Sequence, residues 1–271
     1  MEQLNLCFNL ERMIAEGILQ NTKVDAAIAL HIMPVRQGEI LISNDNITAY
    51  SDGFTIKVYG KNAHTSKPQD GVDAINIAGN IIVALNSIIS KDLDPRDAAT
   101  FSIGKIQGGT SNNIVPDYVE LSGMIRATTK ESRDIIREKL ESISKGIANT
   151  FGGDCNLEIR EGYPSIFNDE DLTEFIRNGF RTNYLEMIKD IDEKIYKESD
   201  INKYIINHKS LLTADDFGYI SKIVPSTYYM VGTGDFAPGH SPKFFVDEKY
   251  IKLCTRTMTL AALEYLNDGK S

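Results

Sequence analysis

His240 stands in the run Gly-Asp-Phe-Ala-Pro-Gly-His-Ser-Pro-Lys-Phe-Phe-Val-Asp-Glu at 234–248. An imidazole can ligate a metal or carry a proton near neutral pH. A loop whose backbone is restricted by Pro238 and Pro242 can hold the ring rigidly toward a cleft. Read locally, the same residue is a surface-loop histidine with no role. Two more imidazoles stand open to the same pair of readings. His31 closes an apolar run and is either a strand-end histidine satisfied by backbone or a ligand. His64 follows a strand and reads locally as an exposed loop histidine. Asn113 and Arg126 lie thirteen positions apart in the sequence. An arginine guanidinium can grip a carboxylate with two bonds, and an asparagine amide can donate a third. Taken alone, Asn113 is a turn residue and Arg126 a solvated strand charge.

These side chains need elements to position them. Residues 54–60 alternate apolar and polar positions, as a half-buried strand does. A helix follows over 71–90, with Val72, Ile75, Ala78, Ile82, Leu85 and Ile89 at helical spacing and Asp70 as its cap. Strands at 100–106 and 118–127 flank the turn-rich run Gly-Gly-Thr-Ser-Asn-Asn at 108–113. Ile136, Leu140, Ile143 and Ile147 mark a second helix, ended by Gly152 and Gly153. A fourth strand covers 155–161. The order βαββαβ predicts a ferredoxin-like module, a four-stranded antiparallel sheet with both helices on one face. In strand 118–127, Val119, Leu121 and Ile125 face the helices. Tyr118, Glu120, Ser122, Met124 and Arg126 face the open side, which leaves Arg126 free to meet a ligand.

The flanks predict an α/β layer: a helix near 10–19, buried strands at 24–32 and 227–231, and helices over 172–184 and from about 248 to 266. The polar stretch 189–209 has mixed signals and no assigned element. The α/β layer is thus split around an inserted module, with parts at 1–52, 53–164 and 165–271.

The chain has 271 residues, 42% of them hydrophobic and 25% charged, with a net charge of −9. An acidic balance of that size lacks the basic footprint of a nucleic-acid binder. The aromatic RNA-binding signature of βαββαβ sheets is also absent from 100–108. No stretch reads as the roughly 18 apolar residues of a bilayer span, and no signal-peptide pattern opens the chain. Cys7, Cys155 and Cys254 lack metal-site spacing and read as reduced structural thiols of a cytoplasmic protein.

Seven ordered segments carry a resemblance. They are Met-Ile-Ala-Glu-Gly-Ile-Leu at 13–19, Ala-Leu-His at 29–31, Gly-Lys-Asn-Ala-His-Thr-Ser-Lys-Pro at 60–68, Gly-Thr-Ser-Asn-Asn-Ile-Val-Pro-Asp at 109–117, Leu-Ser-Gly-Met-Ile-Arg at 121–126, Ala-Asp-Asp-Phe at 214–217 and His-Ser-Pro-Lys-Phe at 240–244. With these the chain resembles the M20 metallopeptidases, in particular their amidohydrolase branch, which hydrolyses N-acyl-amino-acid, hippurate and auxin conjugates. The resemblance implies an α/β zinc-peptidase-like catalytic domain with an inserted ferredoxin-like lid that also dimerises. It further implies two divalent ions, zinc or manganese, holding a water that attacks an amide carbonyl, with a glutamate as base. On this resemblance His31 and His240 fall on metal-ligand positions. His64 falls on a position that reaches the partner subunit's site and stabilises the oxyanion. Asn113 and Arg126 fall on the substrate-carboxylate pair. The expected substrates are N-acyl amino acids or small peptides, and the expected assembly is a homodimer through the lid.

The sequence departs from the family pattern in two places. Neither the His-x-Cys-Gly-His-Asp motif nor the Glu-Glu pair occurs, so the resemblance implies an incomplete catalytic domain lacking its N-terminal part. The hydrolase expected from ancestry is then inactive alone. It is otherwise a non-catalytic dimerisation remnant, or half of a split enzyme completed by a separate N-terminal fragment. Asp215 stands where the branch usually has Glu before Asp216, and its carboxylate reaches one methylene less far.

Overall fold

The computed structural model describes residues 9–20, 22–197, 200–234 and 241–267, except the side chain of Asn9. The chain divides into two compact units. The first comprises 1–47, 166–210 and 215–271, and the second 48–165 with 211–214.

The second unit is the ferredoxin-like module. Its sheet is built from β1 (Tyr50–Tyr59), β2 (Ala99–Gly108), β3 (Tyr118–Ala127) and β4 (Asp154–Arg160). The spatial order is β2-β3-β1-β4, antiparallel throughout. Strand β1 begins at Tyr50, four residues before the expected start. The extension holds Asp52, a buried carboxylate that conceals the strand from an apolar pattern. One face of the sheet is covered by α1 (Ala74–Leu85), α2 (Ser87–Lys91) and α3 (Lys130–Thr150). Val119, Leu121 and Ile125 pack into this core with Ile56, Ile77, Ile81 and Leu140.

The expected cap is corrected. Asp73 accepts the backbone amides of Ile75 and Asn76, while Asp70 lies in a preceding 3-10 turn over Pro68–Asp70. Asp73 is the residue one position before the first helical turn, where its carboxylate can reach the free amides. The run Ala74–Lys91 is apolar and long enough to cross a bilayer by composition, against the expectation that no stretch is. It is broken into two helices at Asn86, and its Ala74, Ile77, Ala78, Ile81 and Leu85 are buried in the sheet core. Helix α3 stops at Gly152, whose φ of +77° is one that a residue without Cβ adopts freely.

A buried ion cluster ties the module's helix α3 to strand β1. Arg133 donates to both oxygens of Asp52 at 2.7 Å, and Arg137 Nε donates to the same carboxylate at 3.0 Å. The Gly162 amide adds a bond at 3.2 Å. Burial alone would push the Asp52 carboxyl up, but these donors outweigh it and hold it below the ordinary aspartate value.

In the first unit, β5 (Ala27–Met33) pairs in parallel with β6 (Ser226–Gly232). Every residue of β6 is buried. Short strands at Ile40–Leu41 and Ile205–Ile206 extend the sheet beyond β6, which leaves β5 at its edge. Helices α4 (Glu170–Ile188) and α5 (Lys249–Asn267) cover one face through Phe180, Tyr184, Tyr229, Tyr250 and Leu253. Asp169 caps α4 through the Leu172 amide. The unassigned stretch 189–209 holds a four-residue helix at Glu193–Tyr196, a 3-10 turn at Ile201–Tyr204 and the strand Ile205–Ile206. Such short pieces produce no periodicity to read.

Candidate functional site

His31 is the fifth residue of β5, near its C-terminal end, and its side chain is exposed while its neighbours are half-buried. Its Nδ1 lies 2.6 Å from the Ile32 carbonyl. A carbonyl can only accept, so Nδ1 carries the proton and Nε2 presents a lone pair to the exposed side. A ligating histidine has this tautomer, with its second nitrogen anchored to a carbonyl.

The β5–β6 register sets Ala29 opposite Tyr228 and His31 opposite Met230. His31 and Tyr228 therefore share the sheet face opposite Tyr229, which packs under α4 and α5. Tyr228 Oη lies 3.5 Å from Asp215, and its ring packs on Phe217. Asp215 is thereby brought to the His31 face. Its other oxygen accepts the Phe217 amide at 2.9 Å, which spends this carboxylate on the turn that starts a short helix. Burial and then the neighbouring Asp215 push the Asp216 carboxyl up. At the strand ends, Thr233 donates to the Met33 carbonyl and Gly234 to that of Val35. His240 itself and Cys7 lie outside the described residues. No group of three or more His, Cys, Asp or Glu poised to hold a metal occurs among the described residues.

In the second unit, His64 pairs with Ile114 in a two-residue ladder. The Thr65 amide donates to the Asn113 carbonyl at 3.1 Å, so His64 and Asn113 belong to one knot of turns. His64 Nδ1 accepts the Ser66 amide at 3.1 Å, and Ser66 Oγ lies at 2.7 Å. Accepting at Nδ1 places the ring proton on Nε2, so this exposed histidine presents a donor. The Asn113 side-chain oxygen accepts from Ser111 Oγ at 2.6 Å, which leaves its amide nitrogen as the outward group.

Arg126 is half-buried on the open face, and its Nη1 donates to the Leu212 carbonyl at 3.2 Å. It lies at the far end of β3 from the His64–Asn113 knot, which joins the sheet beyond Tyr59 and Tyr118 through the Gly60 amide and Asp117 carbonyl. Eight residue steps of about 3.4 Å separate Tyr118 from Arg126, roughly 27 Å. The resemblance pairs Asn113 with Arg126, and within one chain they stand at opposite ends of β3.

Two residues were missed from sequence. Arg160, the last residue of β4, shares the open face with Arg126. The fourth histidine, His208, is locked to structure. Its amide donates to Ser43 Oγ, its Nδ1 to the Lys209 carbonyl, and burial lowers its imidazole below the ordinary value. Neither had a local signal, because each depends on partners distant in sequence. The Cys155 thiol is buried and pushed up to about 11, chiefly by burial, so it is not a nucleophile at neutral pH.

Residues 49–150 match the peptidase dimerisation domain of the M20 family. The N-acetyl-L-cysteine deacetylase of Bacillus subtilis (strain 168) is 28% identical over 241 residues, covering 89% of this chain and 53% of that enzyme. The N-acetyldiaminopimelate deacetylase of Bacillus pumilus is 29% identical over 250 residues, covering 92% of this chain and 62% of that enzyme. In fold, the chain is similar to the Bacillus subtilis YXEP protein, a dinuclear metal binding peptidase from the M20 family. That likeness has a TM-score of 0.72 at 23% identity and covers 94% of this chain and 60% of that one. The chain therefore spans between half and two thirds of the length of these relatives. The match to the family model covers residues 49–150, which lie within the inserted module.

Proposed function

We propose that this chain forms part of a metal-dependent hydrolase that cleaves the amide bond of N-acyl amino acids or short peptides. The observation that carries the reading is the His31 tautomer, with Nδ1 anchored on a backbone carbonyl and Nε2 left as an outward lone pair. Zinc or manganese bound there would activate a water and polarise the amide carbonyl. His31 and His240 would hold the metal. Both positions come with the family pattern. Two imidazoles hold a divalent ion poorly. Ligands and a carboxylate base from outside these 271 residues would complete the centre, and the chain alone would be inactive.

On the substrate side, Arg126 would grip the free carboxylate. His64, donating from Nε2, and the Asn113 amide would bind the carbonyl oxygen as charge develops on it. These groups stand at opposite ends of β3, so a complete set requires two copies. Strand β2 supports a homodimer. It is a sheet edge, and its residues from Ser102 onward are exposed apart from one half-buried position. An exposed edge is a template for pairing with a second strand.

Metal analysis together with a panel of N-acyl amino acids tests this. The chain with zinc or manganese should show no turnover alone. It should gain turnover when a polypeptide carrying the His-x-Cys-Gly-His-Asp and Glu-Glu motifs is supplied. Tight stoichiometric metal and turnover by the chain alone would contradict the incomplete-centre part. No turnover with the added polypeptide would contradict the hydrolase reading.

A further inference from the structure

On the open face of the module, Gly53 of β1 stands between Arg160 of β4 and Met124 of β3 in register. A Cβ at Gly53 would lie 3.4 Å from both Nε and Nη2 of Arg160. The guanidinium is therefore folded inward across the strand rather than out to solvent, and the glycine makes room for it. Gly53 is buried beneath it although Arg160 is itself exposed. The Arg160 side chain makes no hydrogen bond or ion pair among the described residues. The nearby carboxylates are engaged elsewhere: Glu158 pairs with Lys57 at 2.6 Å, and Glu161 with Arg137 at 3.0 Å.

Arg126 is one face position further along β3 from Met124, next to Ser51. The two arginines are thus separated by two strand spacings of about 4.8 Å and one two-residue step. Met124, an exposed apolar side chain, stands beside Arg126 on the same face, across Gly53 from Arg160. Two guanidinium groups on one face, with Met124 and the bare Gly53 beside them, match a ligand with two anionic ends and a short aliphatic spacer.

We propose that Arg160 is a specificity residue that selects N-acyl amino acids with an acidic side chain, binding the second carboxylate while Arg126 binds the first. This rests on the reading of Arg126 given above, and the two can fail separately. The test titrates the chain with N-acetyl-L-glutamate and N-acetyl-L-glutamine, which differ only in the side-chain charge. One charge-assisted contact should favour the glutamate compound by about tenfold. Arg160→Gln should bring that ratio to about one and leave the glutamine affinity unchanged. Gly53→Val, with folding checked by circular dichroism, should lower the ratio in the same direction by displacing a guanidinium that is still present. Arg126→Gln should weaken both compounds alike. Equal affinities in the unaltered chain, or a preference that survives Arg160→Gln, would overturn the role of Arg160 while leaving Arg126 intact. Arg126→Gln without effect on either compound, or no binding of either, would overturn the underlying reading and the proposal with it.

Discussion

Asn113 and Arg126, thirteen positions apart in sequence, lie at opposite ends of the strand Tyr118–Ala127. The turn before the strand holds Asn113 beside His64, and the strand then carries Arg126 roughly 27 Å beyond Tyr118 at about 3.4 Å per residue. A substrate small enough to be an N-acyl amino acid cannot touch both within one chain. The dimer expected from the family match becomes a geometric requirement of any site that uses all three residues.

The edge strand is the first place to test that requirement. Ile106, on β2, is 58% exposed. Ile106→Asp places a charge where two edges would pair and should shift the chain from dimer to monomer by light scattering, with the circular dichroism spectrum unchanged. A dimer that persists would move the interface away from this edge.

The Asp52–Arg133 pair should dominate the module's stability. Asp52→Asn removes one partner of a buried, doubly bonded ion pair and should cost about 3 kcal/mol in chemical denaturation. The sign of the pH effect follows from the lowered carboxyl. A folded value below the unfolded one gives stability that is present above the unfolded aspartate range. It is lost as pH falls through the folded value. The unaltered chain should lose stability in acid below about pH 4, near the unfolded aspartate value, and Asp52→Asn should flatten that loss. A cost below 0.5 kcal/mol, the level of about a surface pair, would contradict the assignment.

Much of this module was legible in the sequence. Strand Tyr118–Ala127 has the expected bounds because its alternation is unbroken from Val119 to Ile125. Helix Lys130–Thr150 was marked by Ile136 and Leu140 and by the terminating glycines. What escaped depended on partners far along the chain. The first residues of Tyr50–Tyr59 include Asp52, which is buried only because Arg133 and Arg137 reach it from another element. Arg160 carries no local signal, and its inward fold exists only because Gly53 lies beside it. The resemblance names Asn113 and Arg126 together without saying which copy supplies each, and the strand between them sets them at its opposite ends.

His31 should matter to metal binding more than to folding, since its side chain is exposed. His31→Ala should weaken zinc binding by about ten- to a hundredfold, the range seen when a ligand or its support is lost, and leave the denaturation midpoint unchanged. Equal zinc affinity in the variant would remove His31 from the centre.

The most direct measurement is subunit mixing, read as ligand binding by calorimetry. Arg126→Gln and His64→Asn chains should each bind N-acetyl amino acids weakly on their own. Unfolded and refolded together in equal amounts, half the dimers would be mixed, and each would hold one intact site. The mixture should then recover about a quarter of the sites of the unaltered protein at full affinity, as a two-fold assembly with shared sites requires. No recovery, with mixed dimers shown to form, would contradict a site built from two copies.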